Sequence, residues 1–317
     1  MRVLRHSNAA PGDRGAVVAL GNFDGVHRGH QAVIARAGEI ARQASAPHAV
    51  LTFEPHPYGV FKPDAAPFRL TPFRAKARHI EPLGVDLLFA LHFNLAFAQK
   101  SAESFIDEVL VAGLGVRHIV VGYDFVFGQG RRGNAKTLLE AAPAKGFRVT
   151  VVEPIKGAGD ALYSSTRIRE HLAAGRPRDA AALLGRLWEI DGRVEHGERV
   201  GHGLGFPTAN LDLADYLRPA LGIYAVFAGI EGKSGTEWHK AAAYLGRRPT
   251  LGDHELRLET HLIDFQGDLY GRHLRVAFTD HLRGDRIFPG LDALRTQIGV
   301  DVAAARHALA GARSPAP

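Results

Sequence analysis

Ala16-Val17-Val18-Ala19-Leu20 is a short apolar run ending at glycine, the pattern of a buried parallel strand entering a turn. Beyond it, Gln31 to Gln43 carries Val33, Ile34, Ala37, Ile40 and Ala41 at helical spacing. The alternation repeats along the first half. Strands are expected at 49–53, 85–91, 118–121 and 148–152, and helices at 73–83, 101–110 and from Ser164 to Ala174. Ser101 and Ser104 are candidate caps of the second of these helices. Pro55 and Pro57 predict a helix-free loop after the strand at 49–53. Regular strand–helix alternation predicts an α/β fold with a doubly wound parallel sheet. Gly175-Arg176-Pro177 opens a junction, with a bridging helix from Arg178 to Leu187. After Trp188 the texture changes to short strands between glycine turns, at 188–194, 223–228, 239–244, 255–263 and 273–278. That spacing predicts a small antiparallel β-barrel. Leu291, Leu294, Ile298, Val302, Ala305 and Leu309 mark one face of a C-terminal helix that would pack on it. The expected domains are therefore 1–180 and 181–317.

Composition narrows the class without choosing a function. The 317 residues are 46% hydrophobic and 23% charged, ordinary for a soluble globular chain. There is no cysteine, which removes disulfides and thiolate metal sites and fits a reducing compartment. No apolar run approaches membrane-spanning length and the first fifteen residues lack the apolar centre of a signal peptide, so the expected location is the cytoplasm, with no membrane partner. The formal charge of +6 suits anionic small molecules such as nucleotides. Its basic residues are scattered rather than clustered, which argues against a nucleic-acid partner. Oligomeric state stays open, a homo-oligomer included.

Four stretches carry candidate chemistry. In the first, Gly21, Asn22, Phe23, Asp24, Gly25, Val26, His27, Arg28, Gly29 and His30 form a strand–loop–helix corner at the carboxyl end of a strand. Glycines let a ligand approach the backbone, and the following helix N-terminus favours phosphate. His27 and His30, three apart, share a helix face and can hydrogen-bond phosphate oxygens. With 17 histidines in the chain, that pair alone carries little weight. The second stretch, Gly122 to Gly128, is a loop at another strand end, with Asp124 its one carboxylate. Third, Ser164, Ser165, Thr166 and Arg167 open a helix and form either an anion clamp or an ordinary cap with surface arginine. Fourth, Gly201, Gly203 and Gly205 precede Phe206, Pro207, Thr208 and Asn210. This loop could wrap phosphates, with Thr208 and Asn210 as oxygen ligands suited to Mg²⁺. It is not a Walker loop, since no Gly-Lys-Ser/Thr follows. Glu259 lies on the strand at 255–263, turned away from the apolar face made by Leu256, Leu258, Thr260 and Leu262.

The first stretch resembles the signature of the bacterial FAD synthetases, bifunctional riboflavin kinases and FMN adenylyltransferases of the His-x-Gly-His nucleotidyltransferase superfamily. The Ser164–Arg167 element is similar to their phosphate-holding segment. The Asp124 loop resembles a family loop, except that Tyr123 stands where an acidic residue is usual. The Gly201–Asn210 stretch resembles the riboflavin kinase signature. The strand of Glu259, followed by Gly267-Asp268-Leu269-Tyr270-Gly271, is similar to the kinase segment carrying the general base, and Arg247-Arg248-Pro249-Thr250 matches a further loop. Tyr244 departs from the asparagine of many relatives. The resemblance covers nearly the whole chain. It implies that Glu259, His27 and His30 are catalytic, that Arg248 binds substrate, and that Thr208 and Asn210 hold Mg²⁺. ATP, riboflavin, FMN and FAD are the implied substrates and products. Two other readings are a chain with one degenerate half and an RNA-binding protein on a nucleotidyltransferase fold. The latter lacks an aromatic-rich RNA motif and leaves Gly201–Asn210 unexplained.

Overall fold

The computed structural model describes residues 1–155, 162–196, 203–248 and 253–315. These form two compact units, one of 1–66 with 71–164, the other of 67–70 with 165–317.

In the first unit the chain runs from β1 (Arg2–Leu4) to β2 (Val17–Leu20), α1 (Arg28–Gln43), β3 (His48–Glu54), α2 (Pro57–Phe61), α3 (Phe73–Ile80), β4 (Leu87–His92) and α4 (Leu95–Ala98). It continues through α5 (Ala102–Ser104), which runs on as a π-helical stretch over Phe105–Gly113, then β5 (His118–Gly122). A two-stranded ribbon of β6 (Val126–Phe127) and β7 (Gly133–Asn134) leads to α6 (Ala135–Lys145) and β8 (Arg148–Val152). Six of these strands form one parallel sheet in the order β1-β4-β3-β2-β5-β8. Its central strands are apolar on both faces because both are covered. Val18, Leu20, Leu51 and Phe89 pack against the helical stretch at 105–110, while Val17, Ala19, Val50 and Leu88 pack against α1. The parallel doubly wound expectation stands.

Several local expectations change. Pro57 starts a short helix rather than preventing one, because a first-turn proline loses no helical hydrogen bond; His56 caps it by accepting the Tyr58 amide. The helix expected to reach residue 83 ends at Ile80 and gives way to a 3₁₀ turn at Glu81–Leu83. Helix α6 was not anticipated, since Pro143 interrupts its pattern. Its signal lay at the ends, in an Asn134–Thr137 capping box and Gly146 at φ 74°.

The second unit starts with α7 (Ser165–Ala173) and α8 (Pro177–Leu184), then β9 (Trp188–Arg193), β10 (Ala209–Asp212), β11 (Gly222–Gly232), β12 (Gly235–Arg248), β13 (Asp253–Leu262) and β14 (His273–Arg283), and ends with α9 (Leu291–Ala308). The antiparallel sheet has the order β10-β13-β12-β11-β14-β9 and curls until a bridge between Glu195 and Asn210 joins its edges. Alternation sends Tyr224, Val226, Leu258, Phe278 and Trp188 to the buried interior. Ala225, Phe227, Ala242, Ile263 and Ala277 face outward and pack under Ala305 and Leu309 of α9. The helix is also tied down by Asp301, which accepts from Arg283 Nη2 at 2.6 Å, and by an Arg306–Asp264 pair. Leu291 does not join this packing and is 64% exposed, so only the C-terminal half of the expected helix face meets the strands.

Residues 67–70 belong to this unit through non-local hydrogen bonds. Arg169 Nε donates to the Phe68 carbonyl at 2.8 Å, the Leu217 amide to that of Arg69 at 2.8 Å, and the Trp188 indole to that of Leu70 at 2.9 Å.

Candidate functional sites

Strand order in the first sheet reverses between β2 and β5, the position where open α/β sheets leave a crevice at their carboxyl ends. The Gly21–His30 corner follows β2, and the Asp124 loop follows β5. The corner is held in a strained form: Phe23 and Val26 have φ of 50° and 43°, and Gly25 has φ of 87°. Buried hydrogen bonds fix it from behind. The Gly25 amide donates to Thr71 Oγ1 at 2.8 Å, the Thr71 amide to Asp24 Oδ1 at 3.0 Å, and Thr52 Oγ1 to the Asn22 carbonyl at 3.0 Å. Phe23 and Asp24 are thus buried framework, whereas Asn22 is exposed.

His27 is the N-cap of α1, its Nδ1 accepting the His30 amide at 3.3 Å. The two imidazoles stack at 3.6 Å, and Phe23 meets His30 edge-on at 5.3 Å. With Nδ1 engaged as cap, the remaining hydrogen-bonding atom of His27 is Nε2. A side chain at Gly29 would come within 3.1 Å of the His27 ring and 3.4 Å of Tyr163 Cβ. Tyr163 therefore passes directly over the corner and delivers its neighbour Ser164 there. Ser165, Thr166 and Arg167 form the first turn of α7 in the second unit, with Thr166 and Arg167 exposed. Asp124 is exposed beside Gly122, and Tyr123 is exposed as well.

In the second unit, β10 was missed by sequence reasoning, since the stretch reads as a glycine loop. Its register decides the site. Asn210 lies opposite Glu259, and Glu259 opposite Tyr244, one row across β10, β13 and β12 on the outer face. Asn210 is 5% exposed and its Oδ1 is buried without a hydrogen-bond partner among the described residues, while its Nδ2 donates to the Thr208 carbonyl at 3.5 Å. A buried carbonyl oxygen left unpaired is costly. An oxygen-seeking cation beside Thr208 would satisfy it, so the residues present fit Mg²⁺.

Glu259 is half-buried. Tyr244 donates to Asp285 Oδ2 at 3.1 Å and its ring covers Gly246, where any side chain would collide with it. Gly205, at φ 86°, turns the chain towards Phe206 and Pro207. A cleft of about 500 Å³ separates Leu204, Gly205 and Phe206 from Asp292, Arg295, Thr296 and Gly299 of α9. Gly203 borders open space. Gly201, Pro249 and Thr250 lie outside the described residues, as does the side chain of Arg248, whose backbone ends β12.

Sequence reasoning missed the supports. Lys76 of α3 is fully buried and donates to Glu54 at 3.0 Å and Thr52 Oγ1 at 3.4 Å. Its chain thus reaches the Asn22 carbonyl through Thr52. Thr71 carried no sequence signal. The α9 wall of the cleft was likewise unassigned, although Leu291 and Leu294 located the helix.

A family model described as FAD synthetase matches residues 10–167, and one described as riboflavin kinase matches residues 184–309. The bifunctional riboflavin kinase/FMN adenylyltransferase of Pseudomonas fluorescens is 45% identical over 300 residues, 94% of each chain. That of Escherichia coli K12 is 39% identical over 310 residues, 97% of each chain. A solved structure from Streptococcus pneumoniae titled as a macrolide-efflux protein is similar at 30% identity and TM-score 0.82, covering 96% of this chain and 98% of that one. Among the described residues here, no helix is long and apolar enough to cross a membrane. On identity sustained across both halves, the chain belongs to the bifunctional riboflavin kinase/FMN adenylyltransferases.

Proposed function

We propose that the chain phosphorylates riboflavin to FMN in its 181–317 half and adenylylates FMN to FAD in its 1–180 half. The observation that carries the kinase assignment is the Asn210–Glu259 pairing, which sets a buried, unpartnered oxygen beside a carboxylate on one face. Glu259 takes the proton from the ribityl 5′-hydroxyl as that oxygen bonds to the γ-phosphorus of ATP and the bond to ADP breaks. Thr208 and Asn210 would hold Mg²⁺, which when bound supplies neutralisation of phosphate charge. The glycine loop wraps the nucleotide, and Arg248 is assigned to substrate on the family motif.

At the corner after β2, an FMN phosphate oxygen attacks the α-phosphorus of a second ATP while the bond to the β-phosphate oxygen breaks. His27 Nε2 and His30 donate to the phosphate oxygens where charge grows, and Ser164, Ser165, Thr166 and Arg167 are assigned to the nucleotide on the family motif. No protein nucleophile is required. Gly21, Gly25 and Gly29 are assigned to the nucleotide on the family motif, as is Asp124 in the loop after β5. The substrates are small molecules, and the cytoplasm is the location that supplies them.

The test is a time course with riboflavin and ATP, flavins being resolved by chromatography with Mg²⁺ or with a chelator. FMN should rise first and FAD follow, both requiring the cation. FMN formation at the same rate in the chelator would contradict the Thr208–Asn210 assignment.

A further inference from the structure

On the outer face of β13, two residues beyond Glu259, stands His261, opposite Ala242 of β12. Its Nδ1 lies 2.8 Å from the Pro207 carbonyl oxygen. A carbonyl only accepts, so Nδ1 carries the proton and donates. The same ring receives the Phe206 ring edge-on at 5.4 Å, and Phe206 lines the cleft facing α9. His261 therefore grips both residues between the glycine turn and Thr208. The Asn210 contact to the Thr208 carbonyl, at 3.5 Å, is longer and weaker. His261 itself is half-exposed, so core packing does not account for it.

We propose that His261 is a positioning residue for phosphoryl transfer: by clamping the Pro207 carbonyl it sets where Thr208 and Asn210 present their oxygens to the nucleotide. The inference rests on the reading that Thr208 and Asn210 hold the metal-bound phosphates. Its physical basis is that phosphoryl transfer is mostly positioning, so a loop displaced by about 1 Å can cost as much as 10²-fold in rate.

The experiment uses the full chain and three variants. His261→Phe keeps the ring and loses the donor, His261→Asn restores an amide donor at the reach of Nδ1, and Asn210→Ala tests the underlying reading. Kinase kcat and KM are measured for MgATP and riboflavin, with adenylylation of supplied FMN as the internal control. His261→Phe should lower kinase kcat by about 10- to 100-fold. Adenylylation should be unchanged, and His261→Asn should return kcat to within about threefold of the parent. The proposal is overturned if His261→Phe stays within that range, if His261→Asn is no better than His261→Phe, or if His261→Phe loses both activities together. An unimpaired Asn210→Ala would remove the reading beneath it. An impaired Asn210→Ala with an unaffected His261→Phe would remove only the role of His261.

Discussion

At the start of α1 the His27 ring accepts the His30 amide on Nδ1, so a substitution there alters the helix, the phosphate contact or both. The two can be separated. Asparagine is as good an N-cap as any residue, whereas His27→Ala should lose about 1 kcal/mol of stability. Both should lower adenylylation by about 10²- to 10³-fold, the scale of a lost oxyanion donor. Thermal unfolding and FAD formation, measured together, check this. If His27→Asn retained full activity, capping would be the residue's whole role. At this scale the sequence was informative where a motif is dense. Gly21–His30 marks its own corner, because glycines and histidines at fixed offsets have few other uses. The roles within it were not legible. Phe23 and Asp24 look like neighbours of a ligand, yet they are buried, and Asp24 is engaged by Thr71, a residue 47 positions away.

Between β3 and β4, Thr71 holds the loop of another element by accepting the Gly25 amide and donating to Asp24. Thr71→Val keeps the shape and deletes both side-chain bonds, while the backbone amide of residue 71 still donates to Asp24 Oδ1. It should lower stability by about 1–3 kcal/mol and raise the KM for ATP in adenylylation, with kinase activity retained. Unchanged unfolding temperature and KM would show that the corner does not depend on this brace. Strand β5 provides a pH test. Burial, then the positive charges of Arg148 and Arg36, hold the His118 imidazole below its ordinary pKa. The unfolded chain therefore binds a proton that the folded one resists. Stability is full above about pH 6.5 and falls as the pH drops from there towards the folded value. His118→Gln should flatten the fall in unfolding temperature between pH 7 and 5, and an equal slope in both proteins would contradict this. Elements with strong periodicity, such as β3, α1 and the C-terminal half of α9, could be read directly. The four residues of β10 could not, because pairing with β13 makes them a strand against a glycine-rich local sequence.

Across the whole molecule, strand–helix alternation gives way near Trp188 to strands between turns, matching a parallel sheet before that point and an antiparallel one after it. Texture is local, however, and cannot show that residues 67–70 join the second unit through Arg169, Leu217 and Trp188. On the proposed function, two sites on one chain perform successive steps. Mixing two single-site variants tests it most directly. Glu259→Gln should lose about 10²- to 10⁴-fold in the kinase step yet convert supplied FMN to FAD at the parent rate. His27→Asn should turn riboflavin into FMN and stop there. Neither alone should make FAD from riboflavin at an appreciable rate, while the mixture should, because FMN released by one variant is adenylylated by the other. A mixture that makes no FAD, or either variant alone making it at the parent rate, would rule out two successive sites.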